Sequence, residues 1–464
     1  MFVGRQRELT ILEKCFSKHA FQMIVMYGRR RVGKTTLLSY FAKDKPTLFF
    51  TAQEQSDSDN LKDLARQIAE CFGLPQGLTF ESWDAVFDYL ANLAADDPFL
   101  FIFDEFPYAA QANPALPSKL QIAIDHKLKN TRMCLVLCGS NQGFMESNVL
   151  GKKSPLHGRR TAQIKVEPFG YRDAACMLGN VSSDDAFRYY ACIGGIPYYL
   201  AQVDRSLSFN ENMLELFFSP EGFLFGEPTS LLRQELREPS LYNSILRAIA
   251  HGANKQNEIA NKTGIERSHL PRYLRVLIEL GIVERVVPFG EDAQRSRKGI
   301  YRLRDACYAF WYRFVSPVVG DIESGAGELA FRTVTPETLG EHLGHRFEGV
   351  CLEWLLEEAL ADSLPVDATT VGIWWGTDPN TRSQTDIDVI AANRTSWHAI
   401  IGECKYRNSF NETEAVDSLL GKAHLLQGFE VDAYYLFTKK PVSVRNEEQN
   451  AEDVRFISLS DLYD

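Results

Sequence analysis

Two stretches of the chain carry residue types that handle phosphate. Gly28-Arg-Arg-Arg-Val-Gly33-Lys34-Thr35 places a glycine five residues ahead of Gly-Lys-Thr, and Phe99-Leu-Phe-Ile-Phe-Asp104-Glu105 is an apolar run ending in two acids. Glycine lets a backbone wrap closely enough for successive N–H groups to point at an anion. Lys34 would then reach the β- and γ-phosphates, and the Thr35 hydroxyl would be a Mg²⁺ ligand. Asp104 would complete the Mg²⁺ shell, with Glu105 placed to polarise an attacking water. The implied chemistry is binding and hydrolysis of a nucleoside triphosphate. The flanks agree: apolar Phe21–Tyr27 precedes the loop, and Thr36-Leu-Leu-Ser-Tyr-Phe-Ala opens a helix behind it. Strand, loop and helix is the setting this pattern needs.

A second group lies near the C-terminus, where Asp386-Ile-Asp388 is followed by Glu403-Cys404-Lys405. Side chains alternate along a strand, so Glu403 and Lys405 share a face. Asp388, placed near the start of the neighbouring strand, can meet them. Two carboxylates to hold Mg²⁺ and a lysine to orient or activate water suit a metal-dependent phosphodiester nuclease. A surface ladder of cross-strand ion pairs is the alternative.

The elements that must position these residues follow from apolar spacing. Strands are predicted over 21–27, 47–52, 99–103, 133–138 and 162–167, with helices over 59–71, 82–95 and 117–128. This alternation predicts a parallel sheet. Ligands sit at the carboxyl ends of such strands, where Gly28, Asp104-Glu105 and Ser140-Asn141 all fall. From about 170 to 235 the spacing is helical and reads as a small lid, interrupted at Gly194-Gly-Ile-Pro197.

Residues 241–303 read as a winged helix. Leu241–Ala250 and Gln256–Gly264 form two helices, and a third begins at an N-cap Ser268, with Pro271 in its first turn, and ends at Gly281. Ile282–Val287 and Gly299–Leu303 are two strands around a charged loop. In DNA readers the third helix enters the major groove, and here Arg267, His269, Arg272 and Arg275 supply some positive charge. Protein contacts inside an ATPase are the equal alternative. Farther on, an amphipathic helix over Leu343–Ala361 precedes strands at 370–375, 386–392, 397–403 and 433–438, with a helix over 412–427. The resulting division is 1–168 for a nucleotide-binding core, 169–238 for the lid, 239–305 for the winged helix, 306–339 for a connecting segment and 340–464 for the C-terminal domain.

At 464 residues the chain accommodates two to four domains. A net charge of −11 argues against a surface generally attracted to nucleic acid. Local basic clusters remain at Arg29–Arg31, Lys152–Arg160 and Arg295–Lys298. Nine scattered cysteines with no C-x-x-C pattern read as reduced thiols rather than a disulfide or zinc framework. The first residues lack an apolar signal core, and no apolar run approaches the ~18 residues of a membrane span. The expectation is a cytoplasmic protein with no membrane partner.

Phe2-Val-Gly-Arg-Gln-Arg-Glu-Leu9, the loop at 28–36, Asp104-Glu105, Leu137-Cys-Gly-Ser-Asn141, Pro155-Leu-His-Gly-Arg159-Arg160 and Gly194-Gly-Ile-Pro-Tyr-Tyr-Leu200 together resemble the archaeal-type ATPase family. This is a branch related to AAA+ and STAND ATPases, often fused to a C-terminal domain resembling PD-(D/E)xK nucleases. The resemblance covers nearly the whole chain. It implies an α/β fold: a P-loop, AAA+-like parallel-sheet core, a helical lid, a winged helix and a C-terminal α/β restriction-endonuclease-like domain. ATP and Mg²⁺ would be the ligands, with Gly28, Val32, Gly33, Lys34, Thr35 and Thr36 around the phosphates and Phe2 and Val3 near the adenine. Ser140 or Asn141 would sense the γ-phosphate. Arg159 or Arg160 resembles an arginine finger that reaches a neighbouring subunit's nucleotide, implying a homo-oligomer. Gly194–Pro197 resembles the second sensor region, although it has no arginine. In the C-terminal domain Asp388, Glu403 and Lys405 match the nuclease-like core, and Glu348 matches an acid on the first helix. Two functions follow: an ATP-regulated enzyme acting on DNA or RNA, or a STAND-type signalling switch whose C-terminal domain is an inactive binding module.

Overall fold

A computed structural model describes residues 2–75, 77–95, 97–442 and 454–464. The chain divides into two units, one of residues 1–169 together with 196–198, the other of 170–195 and 199–464.

The first unit is built on five strands: β1 (Gln22–Tyr27), β2 (Thr47–Thr51), β3 (Phe99–Asp104), β4 (Met133–Gly139) and β5 (Ala162–Lys165). They lie in the order β2-β3-β4-β1-β5, all parallel. β1, β3 and β4 are buried along their whole length, which explains why they read as unbroken apolar runs: helices cover both faces of the sheet. Met23, Val25, Phe101, Phe103, Leu135 and Leu137 belong to one face, against Trp83, Phe87 and Leu120 from the helices. Ile24, Met26, Leu100, Ile102, Val136 and Cys138 belong to the other, against Leu12, Leu37 and Phe41. Trp83 stacks on Phe103 at 5.5 Å between centroids. The fifth strand ends at Lys165, two residues short of the span predicted from sequence.

The second unit begins with helices Tyr171–Leu178 and Ser183–Ile193, the latter started by the Ser182 hydroxyl accepting the Asp185 N–H. Helix Phe209–Phe217 opens with a reciprocal Ser208–Glu211 cap. Helices Pro239–Ala250, Gln256–Thr263 and Leu270–Glu279 precede β6 (Val283–Val286) and β7 (Ile300–Leu303), an antiparallel pair. Gly264 ends the second of these helices at φ 70°. The cap predicted for the third is corrected: His269 holds that position without a capping bond. The Ser268 hydroxyl turns to Glu266 instead. The segment 306–339 contains short helices rather than a plain connection, among them Ala306–Phe310 and Gly327–Phe331.

Helix Pro336–Leu360 starts seven residues before the predicted position because the Thr335 hydroxyl caps it and Pro336 fits its first turn. A second sheet follows: β8 (Thr370–Thr377), β9 (Gln384–Asn393), β10 (His398–Lys405), β11 (Glu430–Thr438) and β12 (Val454–Ser458), in the order β12-β11-β10-β9-β8. β9 runs antiparallel to both β8 and β10; β10, β11 and β12 are parallel. The crossover helix between β10 and β11 is Glu412–Leu420, shorter than the predicted 412–427 because the chain turns at Gly421. β12 has no counterpart among the strands predicted from sequence. A bulge at Ile373 turns its carbonyl to the Phe289 N–H at 2.7 Å, so the loop between β6 and β7 covers part of edge strand β8. All nine cysteines are free thiols. Among the described residues no helix is long and apolar enough to cross a membrane.

Candidate functional site

The phosphate-type residues of the first unit meet at the carboxyl ends of β1, β3 and β4. Gly28 follows β1, and a Cβ there would lie 2.3 Å from the Val166 carbonyl oxygen, so only glycine fits against the segment after β5. Gly33 answers a different demand, a left-handed φ of 87° just before helix Lys34–Ala42. Arg31 is also left-handed, at φ 68°. The loop is braced from behind by buried Arg5, whose guanidinium donates to the Val32 carbonyl at 2.8 Å and the Glu167 carbonyl at 2.7 Å. Sequence reasoning does not single out Arg5; its only signal is the Gly-Arg pair at the start of the chain.

Lys34 is buried, and its ammonium donates to the carbonyls of Gly28 and Arg29 at 2.9 Å each. The Thr35 hydroxyl donates to Asp104 Oδ2 at 2.9 Å, across the gap from β1 to β3. A hydroxyl and a carboxylate so paired are the hard oxygen donors that suit Mg²⁺. Glu105 is held at φ 49° where β3 ends and helix Phe106–Ala112 begins. Its carboxylate accepts the Ser140 hydroxyl at 2.7 and 2.9 Å and the Ser140 N–H at 3.2 Å, from the end of β4. Asn141 acts locally, its side-chain oxygen accepting the Phe144 N–H at 2.9 Å. Val32 is buried within the core and Thr36 is exposed in the first turn of the helix.

Phe2 stacks flat on Tyr40, 4.0 Å between centroids and 7° between planes; Val3 beside it is half-buried. Of the lid motif, residues 196–198 belong with this unit. Pro197 would be 3.8 Å from a Cβ on Gly33. The Tyr198 ring lies under the Arg31 guanidinium at 5.2 Å. Arg159 is committed inside the unit, forming a two-point pair with Asp125 at 2.6 and 2.8 Å and bonding the Pro155 carbonyl. Arg160 is exposed.

In the second unit Glu403 and Lys405 do share one face, and the ammonium of Lys405 donates to Glu403 Oε1 at 2.6 Å. A residue that sequence reasoning misses, Lys422, donates to Glu403 Oε2, also at 2.6 Å. Asp388 lies in the middle of β9 rather than near its start, and its carboxylate accepts the Cys404 N–H at 2.8 Å. Burial, then the charges of Glu403 and Glu348, pushes the Asp388 carboxyl well above the ordinary range. Burial acts on Glu403 in the same direction, but its two lysine partners outweigh it and hold Glu403 below its usual value. Glu348 is 3.6 Å from the His345 ring. Among the described residues no three His, Cys, Asp or Glu side chains are grouped as a metal seat. The expected Mg²⁺ set of Glu348, Asp388 and Glu403 is therefore not gathered as a cation seat among the described residues: ammonium groups hold both oxygens of Glu403, an oxygen of Asp388 accepts the Cys404 N–H, and Glu348 faces His345.

Arg272 and Arg275 lie on the third helix of the winged-helix region, Arg267 and His269 just before it, and all four are exposed. In the loop between its strands Lys298 pairs with Glu291 at 2.7 Å, whereas Arg297 is exposed.

A parallel sheet with a glycine loop, a buried lysine and paired acids at its carboxyl edge defines a P-loop ATPase. Residues 2–203 match an ATPase domain found predominantly in Archaea. Residues 244–286 match an IclR helix-turn-helix domain, and 311–416 a domain of archaeal and bacterial proteins of unknown function. An uncharacterised protein of Methanocaldococcus jannaschii is 31% identical over 444 residues, covering 95% of this chain and 96% of that one. The chain belongs to the archaeal-type ATPase family shared with that relative. An uncharacterised ATP-binding protein of the same organism is 47% identical over 45 residues, 10% of this chain and 76% of its own. The fold is similar to that of a Walker-type ATPase of Pyrococcus abyssi, with a TM-score of 0.51 and 21% identity over 67% of this chain and 96% of that one.

Proposed function

We propose that the chain binds ATP with Mg²⁺ at Gly28–Thr36 and hydrolyses it, and that nucleotide state governs how its winged-helix and C-terminal regions act on nucleic acid. The observation that carries the ATP half is the chain of contacts across three strand ends: Lys34 in the loop, Thr35 on Asp104, Glu105 on Ser140. On ATP binding the Lys34 ammonium exchanges carbonyl partners for phosphate oxygens. Thr35 and Asp104 are the residues that would hold Mg²⁺, whose charge offsets that of the phosphates. Glu105 takes a proton from the attacking water, and Ser140 sets the direction in which its carboxylate points. Ser140 or Asn141 would sense the γ-phosphate, and Phe2 and Val3 would lie near the base. Because Arg159 is bound to Asp125, exposed Arg160 is the better candidate to reach the nucleotide of a second copy in a homo-oligomer.

Support for nucleic acid comes from the match to a helix-turn-helix domain and the arginines carried on the surface of its third helix. Support for a nuclease-like C-terminal domain comes from the order of helix, three strands, helix and strand, with Asp388, Glu403 and Lys405 on its two middle strands. One observation favours the second reading, a STAND-type switch with an inactive binding module: both oxygens of Glu403 are already held by lysines. The deciding experiment uses the full chain with Glu105→Gln. Labelled DNA and RNA are titrated with and without ATP, and cleavage is followed in Mg²⁺ and Mn²⁺. ATP-dependent binding with metal-dependent cutting supports the first reading. ATP-dependent assembly without cutting supports the second, and no ATP binding at all removes both.

A further inference from the structure

Glu403 is a carboxylate with more cationic partners than its charge requires. Lys405 and Lys422 each reach one of its oxygens at 2.6 Å, and the Glu403 and Lys422 side chains are only 11% and 12% exposed. The two lysines differ in origin. Lys405 stands two residues along the same strand and is what the nuclease-like reading expects beside a phosphate. Lys422 arrives from the turn after helix Glu412–Leu420, outside the sheet. A charge-assisted bond this short in a poorly solvated place is strong. A dication arriving here meets two ammonium charges at hydrogen-bond distance from the oxygens it needs. Asp388 lies beside the same carboxylate, with one oxygen accepting the Cys404 N–H.

We propose that Lys422 is a built-in counter-ion that keeps the Asp388–Glu403 pair closed to divalent cations, and that a phosphodiester backbone opens it by drawing the Lys422 ammonium onto its own oxygens. The proposal rests on reading this domain as nuclease-like. A phosphodiester spreads one negative charge over two free oxygens, so it offers Lys422 the same kind of bond that it leaves. The flexible four-carbon stem lets the ammonium move without moving the sheet. The order of events is then nucleic acid first and metal second, which keeps the site silent in its absence.

The test titrates Mn²⁺ into the full chain without nucleotide, reading free Mn²⁺ by electron paramagnetic resonance. Wild type is expected to bind weakly. Lys422→Met is expected to bind at least about tenfold more tightly, the size that partners of metal ligands commonly command, and the gain should vanish when Asp388→Asn is added. Lys422→Arg keeps the charge and should stay closed, which guards against a Met variant that fails to fold. A single-stranded DNA oligonucleotide should tighten Mn²⁺ binding by wild type and leave Lys422→Met unchanged. Equal affinity in wild type and Lys422→Met, a gain that survives Asp388→Asn, or no effect of the oligonucleotide on wild type overturns the proposal. The nuclease-like reading fails separately: if Lys422→Met gains the metal but cuts neither DNA nor RNA, the counter-ion role stands and the enzymatic reading falls. If wild type binds Mn²⁺ tightly and cuts, the reverse holds.

Discussion

Replacing Glu353 by glutamine should change how the stability of the protein depends on pH. Glu353 lies on helix Pro336–Leu360 and faces the two helices that open the second unit. Its carboxylate accepts the Tyr190 hydroxyl at 3.1 Å and the Tyr171 N–H at 3.3 Å. Gly170 is packed so closely that a Cβ there would be 2.3 Å from Glu353 Oε1. Burial is the main reason its carboxyl is pushed up from 4.5 to about 7; the charge of Glu357 adds to this, while the hydroxyl and N–H bonds and the charge of Arg304 oppose it. The sign follows from proton counting. Between the unfolded and folded values the native state holds a proton that the unfolded chain has lost, so stability falls as pH rises through that window. Below it the group costs nothing, and above it the full penalty applies. The folded and unfolded values imply a loss of about 2.5 kcal/mol between pH 5 and pH 8. Glu353→Gln keeps an acceptor for Tyr190 or Tyr171 and removes the ionisation. The assay is urea unfolding of both full-length proteins across that range, followed by tryptophan fluorescence. Five of the six tryptophans (Trp311, Trp354, Trp374, Trp375 and Trp397) lie in the second unit, so the signal reports on it. All other titrations are common to the two proteins, and the difference between their curves isolates this carboxyl. The glutamine protein should gain steadily over wild type as pH rises. Parallel curves, or a glutamine protein that loses ground at pH 8, would refute the reasoning.

Three further expectations concern the ATPase site. Lys34→Ala should abolish tight ATP binding in calorimetry, because the phosphate charge loses its buried ammonium; wild-type affinity in that variant removes the loop assignment. Glu105→Gln should keep ATP bound and slow hydrolysis by about 10²–10⁴-fold, whereas Ser140→Ala, which frees the Glu105 carboxylate without removing it, should slow turnover less and leave ATP affinity intact; a Ser140→Ala protein with wild-type turnover shows that the hydroxyl has no part in aiming Glu105. Arg160→Ala mixed with Glu105→Gln should recover activity at mixed interfaces, while Arg159→Ala should chiefly destabilise the fold through loss of the Asp125 pair; no recovery at any mixing ratio counts against action between subunits.

What the amino-acid sequence determined by itself is local in origin. The spacing of Gly28, Gly33, Lys34 and Thr35 needs only one turn of chain to become a phosphate loop. The unbroken apolar runs at β1, β3 and β4 state that both faces of the sheet are covered. Alternation along β10 put Glu403 and Lys405 on one face. Tertiary structure decided what depends on strand order and register, which no local pattern encodes. Gly28 is obligatory because the backbone of Val166 passes 2.3 Å from where its Cβ would be, across the β1–β5 neighbourhood. Glu105 is held by Ser140 because β4 lies beside β3. Arg159, which by motif resembles a group acting between subunits, is satisfied within its own unit by Asp125 on a helix 34 residues earlier. Lys422 reaches Glu403 only because the helix after β10 folds back over the sheet and ends at Gly421. Glu403, which reads in one dimension as a metal ligand, is in three dimensions a carboxylate held between two ammonium groups. A motif names the charges that a site contains, and folding decides which of them neutralise one another.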